Sequence, residues 1–173
     1  MKTIVYLVGA GPGDPGLITQ KALSLISNAD AIVYDYLSNP TILKNAKASC
    51  SLVNAGKRLG FKAMSQDQIN RKLVSLAKKG IGTVVRLKGG DPLLFGRGGE
   101  EAEYLKKNRI KFEIVPGVTS AIAVPAYAGI PITHRNITST VSIVTGHEDP
   151  LKNKSTIDWP GLAKSKSIAV SYT

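Results

Sequence analysis

Two glycine-rich stretches carry the residues best suited to hold a small molecule. The first reads Gly9-Ala10-Gly11-Pro12-Gly13-Asp14-Pro15-Gly16 and follows an apolar run. Taken from Gly11 it fits G-x-G-x-x-G, and Asp35 ends the next apolar run, where a dinucleotide fold places its ribose-binding acid. The chemistry of the loop argues against that ligand. A pyrophosphate needs backbone N–H groups at a helix start. Pro12 and Pro15 have none to give, and Asp14 adds a negative charge. Such a loop suits a ligand without phosphate, packed on a proline ring and backbone carbonyls. S-adenosylmethionine, cationic at sulfur, is one. A tight turn without any ligand is the plainer alternative.

The second stretch, Arg86 to Glu100, holds five glycines within residues 89–99. Glycine is the residue that loses most conformational entropy on folding, so this density fits a backbone that something must approach closely. Asp91 in this loop fits a turn residue, a hydroxyl or amine acceptor, or a counter-charge for a sulfonium. Glu100 stands in the first turn of a helix opened by Gly98-Gly99, where the dipole favours it. Asp35 reads either as a strand-end cap or as a general base. Lys57, Arg58, Lys88, Arg97 and Arg135 lie in or beside the candidate loops, and their cationic groups suit carboxylates on a substrate.

These loops need a scaffold that brings them together. Strand-like runs cover Thr3–Gly9, Asp30–Asp35, Ser51–Ala55, Thr83–Leu87, Lys111–Val115, Thr140–Thr145 and Ser167–Tyr172. Several are almost wholly apolar, as in a sheet covered on both faces. Helical stretches lie between them at about Thr19–Ser27, Gln66–Lys79, Gly98–Lys107 and Ser120–Tyr127, with Ser65 and Gln68 spaced as a capping box and Gly80 as a stop. The alternation predicts an α/β fold on a mostly parallel sheet, whose ligands bind beyond the carboxyl ends of the strands. A boundary is expected at Pro116-Gly117. It separates an N-terminal α/β domain (1–115) with the glycine loops from the start of a second domain (116–173), which reads as truncated because it breaks off at a strand.

With 173 residues, 43% of them hydrophobic, the chain can bury a real core. The net charge of +11 attracts anions, but the lysines are dispersed and no nucleic-acid-binding motif accompanies them. A small polyanionic substrate accounts for the charge, as do solvated surface lysines. Cys50 is the lone cysteine, and with His134 and His147 it makes no recognisable metal site. No run is long enough to span a membrane, and the N-terminus lacks the features of a signal peptide, so the expected location is cytoplasmic.

The chain resembles the uroporphyrinogen-III C-methyltransferases, within the tetrapyrrole methylases, at V-G-A-G-P-G-D-P-G (Val8–Gly16), V-Y-D (Val33–Asp35), G-K-R (Gly56–Arg58) and V-V-R-L-K-G-G-D-P (Val84–Pro92). The likeness continues in F-G-R-G-G-E-E (Phe95–Glu101), V-P-G-V-T-S-A (Val115–Ala121), A-Y-A-G-I-P-I-T-H-R (Ala126–Arg135) and V-T-G-H (Val144–His147). It implies two α/β domains with a cleft between them, a homodimer, and methylation of two pyrrole carbons of uroporphyrinogen III to precorrin-2, on the route to sirohaem and cobalamin. S-adenosyl-L-methionine is the implied donor and S-adenosyl-L-homocysteine the product. It further implies that Pro12, Gly89, Gly90, Asp91, Leu94, Thr119 and Ser120 hold the donor, that Asp35 accepts a proton and that Lys57 donates one. Where the family carries Tyr-Met, this chain reads Tyr172-Thr173. A later precorrin methyltransferase, a nicotinamide-dependent oxidoreductase and an inactive fragment that only binds ligand are the competing expectations. Because the pattern starts at Met1, no fused dehydrogenase–ferrochelatase domain is expected.

Overall fold

The computed structural model describes residues 3–56, 63–146, 155, 157–165 and 168–172. These form two compact units, residues 1–119 and 120–173.

The first unit is built on a five-stranded sheet. Its strands are β1 (Ile4–Gly9), β2 (Ala31–Tyr34), β3 (Ser51–Asn54), β4 (Thr83–Lys88) and β5 (Lys111–Val115), in the order β3-β2-β4-β1-β5. Every pairing is parallel. A dinucleotide fold runs 3-2-1-4-5, with β1 beside β2. Here β4 stands between them, so the apparent G-x-G-x-x-G and Asp35 do not occupy the relation that fold requires.

Strand periodicity sorts the side chains to two faces. Val5 and Leu7 of β1, Ala31 and Val33 of β2 and Val84 of β4 pack under α3 (Gln66–Lys78) and α4 (Gly98–Lys107). Val8, Ile32, Val85 and Leu87 pack under α1 (Gln20–Asn28) and the short α2 (Pro40–Leu43). Most of these side chains are completely buried, as parallel strands covered on both faces should be. The expected strands and helices are present with ends shifted by a residue or so. The short α2 and α6 (Trp159–Lys164) escaped notice, because four to six residues offer too little periodicity.

Local chemistry fixes the helix ends. Thr19 caps α1 by accepting the Ala22 N–H at 3.2 Å. Ser65 accepts from Gln68 N at 3.2 Å while the Gln68 side chain accepts from Ser65 N at 2.8 Å, which completes the capping box on α3. Gly80 closes that helix with φ +74°.

The second unit contains α5 (Ser120–Tyr127), β6 (Val141–Thr145), α6 and β7 (Ile168–Tyr172), with β6 parallel to β7. No helix among the described residues is long and apolar enough to cross a membrane.

At the amino end of the large sheet Asp30 straps three strands. Its carboxylate accepts Thr83 N at 2.7 Å and Lys47 Nζ at 2.6 Å, and its carbonyl accepts Ser51 N at 3.0 Å. The Lys47 ammonium, then the Thr83 amide, hold this carboxyl below its ordinary range. A depressed carboxylate stabilises the fold above its unfolded pKa and loses that contribution as the pH falls through its folded one. Asp30→Asn should therefore melt below the wild type at pH 7, with the gap closing below about pH 4. Thermal melts of both proteins between pH 7 and pH 3 check this.

Candidate functional site

Placing β1 next to β4 sets the two glycine loops side by side at the carboxyl edge of the sheet. Gly11 and Gly90 bond reciprocally, Gly11 N to Gly90 O at 3.2 Å and Gly90 N to Gly11 O at 2.8 Å. Gly11 (φ +80°) and Gly90 (φ +63°) adopt backbone angles that side chains disfavour. The loop after β5 joins them. A Cβ on Gly117 would lie 2.2 Å from Gly90 O, and one on Gly9 would lie 2.6 Å from Gly117 Cα. These glycines serve contact between backbones, a role that their density in sequence does not separate from ligand approach.

Asp91 is the staple of this junction. Its Oδ1 accepts Leu93 N at 2.8 Å and Leu94 N at 3.2 Å, and its Oδ2 accepts Gly117 N at 3.1 Å. Of the roles open to it in sequence, the structure shows the turn residue. Asp14 likewise caps its own turn, accepting Gly16 N at 2.7 Å. Asn39, absent from the sequence reading, donates to Gly13 O at 2.6 Å and ties the segment after β2 to the first glycine loop.

Asp35 stands at this same edge with its side chain 25% exposed. Arg86 Nη2 approaches Asp35 Oδ2 at 3.4 Å, and the hydroxyl of the buried Ser38 lies 3.2 Å from Oδ1. The carboxylate is thus oriented by two side chains and still open to solvent. Ser38 and Arg86 also escaped the sequence reading as site residues, although a cation between Val85 and Leu87 in a largely apolar run is a visible anomaly. Parallel register sets Val33 opposite Arg86, which explains why the guanidinium reaches Asp35 two residues further on.

Behind Asp35 lies a buried ionic cluster. Glu101 on α4 is fully buried, and its Oε1 accepts Arg86 Nε at 3.0 Å, Lys88 Nζ at 3.0 Å and Gln66 Nε2 at 3.1 Å. Arg86 Nη1 donates to Leu87 O at 3.1 Å and Val33 O at 3.4 Å. Lys88 was among the cations expected to meet carboxylates on a substrate. The structure corrects this: its side chain is 4% exposed and its ammonium is directed to Glu101, because residue 88 shares the inward face of β4 with Val84 and Arg86. Burial, then the Arg86 charge, lowers the Lys88 pKa against the pull of Glu101.

The remaining expected residues fall in several places. Pro12, Gly89 and Leu94 are half-buried at the carboxyl edge, and Thr119 is buried where the first unit ends. Ser120 opens α5, and Arg135 is exposed in the second unit. Arg97, in a left-handed conformation (φ +57°), forks onto Glu100 with bonds of 2.7 and 2.8 Å at the surface. That pair holds the Glu100 carboxyl below its usual range. Lys57, Arg58, His147 and Thr173 lie outside the described residues. Tyr36, Leu37, Leu93 and Phe95 give the segments around Asp35 and Asp91 an exposed apolar surface.

The chain matches known proteins over most of its length. The family of Tetrapyrrole (Corrin/Porphyrin) Methylases covers residues 4–172. The chain belongs to this family. It is 60% identical over 160 residues to the S-adenosyl-L-methionine-dependent uroporphyrinogen III methyltransferase of Methanosarcina barkeri, spanning 92% of this chain and 62% of that relative. The crystal structure of uroporphyrin-III-C-methyltransferase from Thermus thermophilus superimposes with a TM-score of 0.75 at 44% identity, over 85% of this chain and 62% of the other. The form of that Thermus enzyme complexed with S-adenyl homocysteine gives a TM-score of 0.70 at 43% identity, over 82% and 58% of the two chains. The chain therefore spans about three-fifths of the length of these relatives.

The glycine junction makes a direct prediction. Gly117→Ala forces backbones apart and should cost about 1–3 kcal/mol, as overpacking does. Urea unfolding should show a lower midpoint, whereas Gly99→Ala, where an added Cβ meets nothing within 4 Å, should not cost a comparable amount.

Proposed function

We propose that this chain carries the S-adenosyl-L-methionine-dependent C-methylation of uroporphyrinogen III, giving precorrin-2. The observation that carries the reading is the convergence of two glycine loops and an oriented, half-open Asp35 at one sheet edge, in a chain with 60% identity to a methyltransferase of that name.

The loops fit the donor on chemical grounds. Pro12 lacks an N–H for a phosphate but offers a half-buried ring, Leu94 offers a second apolar surface, and open space surrounds the position of a Cβ on Gly13. Pro12, Gly89, Gly90, Leu94, Thr119 and Ser120 would hold the donor. Asp91 would contribute through its backbone, since its carboxylate already accepts three amides. S-adenosylmethionine supplies the electrophilic methyl group when bound.

The protein's share is alignment and proton handling. Once a pyrrole carbon has accepted a methyl group, the cationic ring must lose a proton, and Asp35 is the acceptor in this reading. Arg86 and Ser38 keep its carboxylate turned, and Lys57 acts as proton donor. Arg58, Arg97 and Arg135 are the proposed partners of the substrate's carboxylates, with Arg97 exchanging Glu100 for the ligand. A homodimer and a place on the sirohaem and cobalamin routes belong to the same proposal through the family resemblance, and a cytoplasmic location goes with it.

Incubation with uroporphyrinogen III and labelled donor should yield a tetrapyrrole heavier by two methyl groups. A single addition, or addition only to an already methylated ring, points to a later step instead. Asp35→Asn should lower turnover by about 10²–10⁴ while leaving calorimetric binding of S-adenosylhomocysteine intact. Arg97→Ala should weaken tetrapyrrole binding more than donor binding; equal losses would count against its assignment.

A further inference from the structure

We infer that Glu101 is a positioning residue for Asp35, acting through Arg86 and setting the charge balance behind it. The inference rests on the reading of Asp35 as the proton acceptor.

Glu101 is a poor packing solution. Three donors crowd onto its Oε1, while its buried Oε2 has no partner among the described residues. An unsatisfied buried acceptor is costly, and apolar groups of similar volume often replace buried ion pairs without loss of stability. As a charge solution the same residue makes sense. Among the described residues, β4 contributes the cations Arg86 and Lys88, α4 contributes Glu101, the end of β2 contributes Asp35, α3 contributes the neutral Gln66, and the Arg97–Glu100 pair, whose charges cancel, acts on Glu101 and Lys88 from the start of α4. Two nearly inaccessible cations thus face one fully buried anion and one anion at the rim. The set is neutral when Asp35 is ionised.

Without the Glu101 charge, both cations address Asp35 alone. They hold it as a carboxylate and make it a weaker proton acceptor. Arg86 also loses the bond that fixes its Nε, and with it the aim of Nη2 at Asp35. Removing the Lys88 charge does the reverse, leaving two anions to one cation. Burial and then the Arg86 charge lower the Lys88 pKa, and the Glu101 and Asp35 charges act on it in the opposite sense.

The test is the pH–rate profile of methyl transfer for Glu101→Gln, Lys88→Met and the double variant. Glu101→Gln should move the acid limb to lower pH and reduce the plateau by about tenfold or more, with KM for the donor changing less than about threefold. Lys88→Met should move the limb to higher pH, and the double variant should return it towards the wild type. A merely structural role lowers the plateau of each variant without moving the limb, and that result overturns the inference. Should Glu101→Gln fail to fold, the upward shift in Lys88→Met and the restored limb of the double variant decide the matter. If the wild-type chain methylates no tetrapyrrole, the functional reading fails separately. The coupling is then read from the Arg86 side-chain resonances in 15N-labelled protein, which should respond to Asp35→Asn in the wild-type background and lose that response in Glu101→Gln and in the double variant. An unaltered response overturns the inference.

Discussion

Three loop backbones meet at Gly9, Gly90 and Gly117, so closely that a side chain on Gly9 or Gly117 would strike the neighbouring backbone. These loops leave three neighbouring strands of the sheet, β4, β1 and β5. The contact fixes where each loop begins its course away from the sheet. Asp91 reinforces it by accepting an amide from beyond β5 and two from its own turn. Asn39 adds the segment after β2 through Gly13. A carboxyl edge that would otherwise carry independent turns becomes one continuous backbone surface, and Asp35 borders it. Rigid placement of this kind is what an alignment-driven transfer reaction demands of its scaffold.

The fold was largely legible in the sequence. Apolar runs such as Val84–Val85 and the Ser65–Gln68 cap depend on local periodicity and local hydrogen bonds, and both are visible along the chain. The strand order was not. Whether β1 neighbours β2 or β4 depends on pairings between residues some eighty positions apart, so the dinucleotide pattern of Gly11 to Gly16, which the loop's prolines already argue against, is overturned by a topology that the sequence does not display.

The site was legible in outline and less so in its wiring. Glycine density located both loops, and Asp35 stood out as an acid closing a strand. The roles of single residues proved harder to read, for a physical reason. Whether a charged side chain faces solvent or the interior depends on strand phase and on which helix covers it. Lys88 looked available to a substrate because it borders a loop, yet it shares a face with Val84 and finds Glu101. Glu101 follows Glu100 directly in sequence, but one step around α4 carries it to the fully buried side. Ser38 and Asn39 carried no signal, since Ser and Asn are ordinary turn residues.

Alternation along β4 has one more effect. Arg86 and Lys88 interleave with Val85 and Leu87, whose side chains lie in the layer beneath α1. A slip of β4 by a single residue would turn both cations into that hydrocarbon layer, away from any carboxylate. Apolar residues at 86 and 88 would tolerate the slip far better. The ionic cluster thereby acts as a phase lock on the sheet's central strand, selecting among pairings that hydrophobicity alone would leave close in energy.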